Sequence, residues 1–169
     1  EVLVDTLRRL PVELALAEQS ALGADEAARI VDIATAVDPD RGMEVIRSGD
    51  EADVVVAVGD GRKDAAVGGV PVRHGALVVA GASPGDPGAD ISGLGVFTCA
   101  ALLAGEVFKR VAAVRSERAT FSERLAWCPV ALSDDPWSTP ALEEAPRIDL
   151  ALVGQGAIGT ATTRILALL

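Results

Sequence analysis

The sequence predicts an α/β fold, a mixed sheet flanked by helices, with one strand, glycine turn and helix unit at its C-terminal end. Three observations carry this. Several stretches repeat apolar residues at helical spacing, short β-branched runs lie between them, and the last such run, Ile148 to Val153, opens into Gly154-Gln155-Gly156-Ala157-Ile158-Gly159. Half of the 169 residues are apolar, mostly Ala, Val and Leu, and only 3% are aromatic. Mean hydropathy is +0.35, so the chain can bury a core and is not of the disordered class.

At the N-terminus Leu3, Leu7, Leu10 and Leu14 recur at spacings of four, three and four, a helical stripe that Pro11 interrupts. A second helix is expected from Pro11 to Ala21, ended by Gly23. Asp25 then reads as the cap of a helix from Glu26 to Val37, with Ala27, Ile30, Val31 and Ala34 on its apolar face and Asp38-Pro39 at its close. A short helix is expected over Arg41 to Arg47. Val54 to Val58 has the continuous β-branched pattern of a strand buried on both faces, ending in Gly59-Asp60-Gly61. Ala66 to Val72 and Ala76 to Ala80 read as further strands, with Gly68-Gly69 and His74-Gly75 as turns. A loop rich in Pro, Gly and Asp runs from Ala82 to Gly95. The next element is a long helix from Val96 to about Arg115, whose first three turns are apolar nearly all round and predict a central, buried position. Trp127 to Leu132 reads as a strand, and Ser133 to Pro146, with three prolines and four acidic residues, as a linker. The expected organisation is therefore an N-terminal α/β domain over 1–132, a linker over 133–146 and the glycine-turn unit over 147–169.

A formal charge of −10 opposes binding to nucleic acid or an anionic membrane, and few aromatics are present to stack bases. The longest uncharged stretch, Ile91 to Gly105, is too short and too rich in Gly to span a bilayer of ~20 apolar residues. No signal-peptide pattern is visible at the N-terminus, so the expected location is the cytoplasm. With two distant cysteines and one histidine there is no zinc-type spacing and no metal-site signature. Cys99 and Cys128 lie in apolar runs and read as inert core residues, and His74 as a turn histidine with no carboxylate, Ser or Cys at suggestive spacing. Gly59-Asp60-Gly61-Arg62-Lys63 follows a strand but lacks a third glycine and reads as a tight turn. Asp134-Asp135 and Glu143-Glu144 read as solvated charges.

The Gly154-x-Gly156-x-x-Gly159 turn is the residue pattern that carries chemistry. In a nucleotide-binding βα unit the first glycine permits the turn, the second lets backbone approach a phosphate and the third lets helix pack on strand. The N–H groups opening the helix then favour an anion. A purely structural turn is the competing reading. Only ten residues follow Gly159, fewer than the second strand and the acidic ribose ligand ~20 residues on require. The unit is therefore expected to be the start of a truncated Rossmann-like domain with an incomplete pocket. Its apolar strand, Leu150 to Val153, needs neighbours, which predicts association and a possible homodimer.

Asp149 to Ala161 resembles the opening of the adenylating domain in the ThiF/MoeB/HesA family, bacterial relatives of ubiquitin-activating enzymes. Gly93 to Lys109 is similar to a helix upstream of that domain in a longer bacterial ThiF-like subgroup, where an Asn-Pro-x-Gly turn leads into an Ala-rich helix ending Glu-Val-Phe-Lys. Here the turn is Ser92-Gly93-Leu94-Gly95, without the Asn-Pro pair. The resemblance implies an ATP- and magnesium-dependent adenylyltransferase acting on the C-terminus of a ubiquitin-like or sulfur-carrier protein. Only Gly154, Gly156 and Gly159 match its nucleotide loop; its ribose, phosphate and metal ligands lie further on, so this stretch alone is expected to be inactive. Two alternatives stand beside it: the N-terminal part of an NAD(P)-dependent dehydrogenase of the shikimate-dehydrogenase kind, and a non-catalytic interaction domain with a degenerate nucleotide fold.

Overall fold

In the computed structural model, residues 1–8, 13–17, 22–46, 52–59, 65–81, 84–85, 88, 90–113 and 121–137 are described. They form three helices, α1 (Val2–Leu7), α2 (Ala24–Val37) and α3 (Gly93–Ala113), with six strands: β1 (Ala15–Ala17), β2 (Glu44–Ile46), β3 (Val56–Val58), β4 (Val67–Val72), β5 (Gly75–Ala80) and β6 (Arg124–Trp127). The architecture is mixed α/β. β1 and β2 make a two-stranded parallel ribbon, and the main sheet has the order β3-β4-β5-β6, parallel between β3 and β4 and antiparallel thereafter.

α3 lies across β4 and β5, and α1 packs on α3. The core forms there from Leu7, Val67, Ala76, Val78, Cys99 and Leu103, with Ala104 and Val107 completing the stripe. The spacing of Cys99, Leu103 and Val107 puts all three on one helix face, which is why the sheet sees a continuous apolar ridge. α3 is thus one-sided rather than central: Val96, Ala101, Gly105 and Phe108 on its other side are exposed. The apolar run packs on the sheet and on α1, and its remainder is an Ala-rich surface.

α2 shows the expected face, with Ile30 and Ala34 buried. Its cap, however, is Gly23, whose N–H donates to the Glu26 carboxylate at 2.8 Å, while Asp25 sits in the first turn. Gly23 needs no side chain there, because the carboxylate three residues on folds back to the free N–H.

Five further expectations are corrected. Over Pro11 to Ala21 the described part is not a helix but strand β1, and over Arg41 to Arg47 it is β2; the parallel pairing of Ala15, Leu16 and Ala17 with Glu44, Val45 and Ile46 overrides helical preference. Gly68-Gly69 is not a turn but lies inside β4, paired with Val79 and Val78, and the reversal falls at Arg73-His74. β3 is a three-residue edge strand among the described residues, with Ala57 buried and Val58 exposed, not a strand covered on both faces. β6 begins at Arg124, three residues before the expected strand, because Arg124 to Trp127 pair with Val79 to Ala76; Pro129 to Leu132 instead form a turn. The chain remains folded through Trp137, with Pro136 buried. The remaining linker residues and the glycine-turn unit lie outside the described residues.

Candidate functional site

The closest approach of backbone segments occurs at one end of the main sheet, where the β4–β5 turn, the start of α3 and the segment after β6 meet. β4 ends at Val72, β5 starts at Gly75, β6 ends opposite Ala76, and α3 starts at Gly93, so antiparallel pairing alone brings them to the same end. Two glycines permit the approach. A Cβ on Gly75 would stand 2.6 Å from the Trp127 carbonyl oxygen and 3.0 Å from Pro136 Cβ; one on Gly95 would stand 3.1 Å from the Gly75 oxygen and nearer still to that of Arg73. No other residue fits either position without moving backbone.

Ser92 locks this junction. Its N–H donates to the Arg73 carbonyl at 2.8 Å, and its hydroxyl donates to the same oxygen at 3.0 Å. Ser92 Oγ accepts from the Gly95 N–H at 3.3 Å, and Val96 N–H donates to the Ser92 carbonyl at 3.2 Å, so Ser92 is the N-cap of α3. His74 Nδ1 lies 2.8 Å from Ser92 Oγ. This contact adds a side-chain tie between the β4–β5 turn and the start of α3. The arrangement acts as a latch, and Arg73 is held in it at φ 44°, a left-handed conformation costing about 1–3 kcal/mol in a non-glycine residue.

A second constellation fastens the other end of α3. Glu106 is 1% exposed, and its carboxylate accepts from Lys109 Nζ, from Arg110 Nη1 at 3.1 Å and from the Ser122 N–H at 3.4 Å. Arg110 Nη2 also donates to the Ala66 carbonyl at 3.0 Å, and its guanidinium lies 4.8 Å from the Phe121 ring centre. Burial pushes the Glu106 carboxyl up, but the Lys109, Ser122 and Arg110 hydrogen bonds outweigh it and hold it below the usual carboxylate range. The carboxylate thereby ties the helix to the entry of β4 and to the entry of β6.

Near the C-terminal ends of α1 and α2, Arg8 is buried and donates from Nη2 to the Gly42 carbonyl at 3.2 Å, while its Nε and Nη1 have no hydrogen-bond partner among the described residues. Asp38 pairs with Arg41 at 2.5 Å. Burial raises the Asp38 carboxyl, and Arg41, together with the charge of Arg8, brings it below its ordinary value.

Cys99 and Cys128 are both buried, as inert core residues should be, and burial pushes the Cys99 thiol up to about 12. The Ser92 partner of His74, 18 residues away, was not visible in the spacing; the signal available was a serine three residues ahead of a glycine at a helix start. Gly154, Gly156 and Gly159 lie outside the described residues. Among the described residues no group of three or more His, Cys, Asp or Glu side chains is placed to hold a metal ion, and no helix is long and apolar enough to cross a membrane. Comparison with protein families gives no matching family, and comparison with curated proteins gives no matching sequence.

Proposed function

We propose that this chain comprises an accessory α/β domain followed by the first βα unit of a ThiF-like adenylating domain, within a protein that uses ATP and magnesium to activate the C-terminus of a ubiquitin-like or sulfur-carrier protein. The observation that carries the reading is the combination, in one chain, of the strand-to-glycine-turn sequence Asp149 to Ala161 with the Ser92-to-Lys109 segment. In support of the second part, Gly93 to Ala113 is one continuous helix whose first turn, Gly93-Leu94-Gly95, packs tightly on the β4–β5 turn, although Gly93 to Gly95 reads in the sequence as a loop before the helix. In the Glu-Val-Phe-Lys run, Glu106 and Val107 face inward and Lys109 folds back onto Glu106, so this motif serves the fold of the accessory domain.

In this reading Gly154, Gly156 and Gly159 form the loop at the nucleotide phosphates and ribose. The reaction is attack of a carrier carboxylate on the α-phosphate of ATP with release of pyrophosphate, a step governed by positioning and charge neutralisation. Isotope exchange between ATP and pyrophosphate, assayed with the full-length protein and a panel of small carrier proteins ending in glycine, tests it. Carrier-dependent exchange is expected. Absence of exchange with every carrier, together with binding of NAD(P) in place of ATP, would replace the proposal with a dehydrogenase.

A further inference from the structure

We draw no further inference here: the strongest candidate, the buried side-chain cluster of Arg8, Asp38 and Arg41 at the C-terminal ends of α1 and α2, leaves Arg8 Nε and Nη1 without a hydrogen-bond partner among the described residues, and nothing among those residues shows what ion or group meets these donors.

Discussion

Gly95 and Gly105 occupy the same helix and should respond in opposite directions to the same substitution. In an ideal helix Gly→Ala stabilises by roughly 0.5–1 kcal/mol through chain entropy. At Gly105 nothing lies within 4 Å of the added methyl, and the position is exposed, so Gly105→Ala should realise that gain. At Gly95 the methyl meets two carbonyl oxygens, those of Arg73 and Gly75, and the Arg73 carbonyl carbon at 3.2 Å. These are backbone atoms of a turn already strained at Arg73 and fixed by two hydrogen bonds from Ser92. Relief requires moving the helix start off the turn, which combines an overpacking cost of about 1–3 kcal/mol with loss of a helix cap at about 1 kcal/mol. Subtracting the helix-propensity gain leaves Gly95→Ala destabilised by about 1–3 kcal/mol. Urea denaturation followed by circular dichroism, with the midpoint compared at constant slope, reads both changes. The reasoning fails if Gly95→Ala matches or exceeds the wild-type midpoint, or if Gly105→Ala falls below it.

Glu106→Gln should cost about 2–3 kcal/mol, less than for a fully enclosed pair because Lys109 is 39% exposed and can turn to water. The Glu106 carboxyl is held below its unfolded value, so its contribution is complete above ~4.3 and is lost as pH falls through the folded value. Stability measured by urea melts over a pH series should therefore fall less steeply with acid in Glu106→Gln than in the wild type; parallel profiles would count against the network. Cys99, with its thiol raised to about 12, and the fully buried Cys128 should resist a disulfide reagent at pH 8 in the folded chain and both react after denaturation. Rapid labelling of either in the native protein would show that the α3 face or the segment after β6 is not packed as described.

The long helix and the β4–β5 hairpin were legible because their patterns are local: apolar residues at 3.6-residue spacing from Cys99 to Val107, and alternating short runs on either side of Arg73-His74. β1 and β2 were not legible. Each is three residues long, and the pairing of Ala15 with Glu44 is a contact between distant segments that no local window contains. Gly68-Gly69 misled for a physical reason, since a glycine pair reads as a turn unless the strand partners, here Val79 and Val78, are known. At the Glu106 cluster the spacings to Lys109 and Arg110 announce helical ion pairs, which are normally solvated. What made Glu106 buried was the arrival of Ser122 and Ala66 from other elements.

Both polar constellations on α3 serve the fold. At one end the Ser92 hydroxyl is engaged by Arg73, Gly95 and His74; at the other the Glu106 carboxylate is occupied by Lys109, Arg110 and Ser122. The contribution of these two constellations to the described domain is geometric. The latch at Ser92 fixes the start of α3 against the β4–β5 turn, Gly75 seats Pro136 on that turn, and the bonded segment from Cys128 to Trp137 holds Leu132 and Trp137 outward. Loosening the latch should thus be felt at the tryptophans: Ser92→Ala, by freeing the β4–β5 turn from the helix cap, should alter their emission even though Ser92 touches neither.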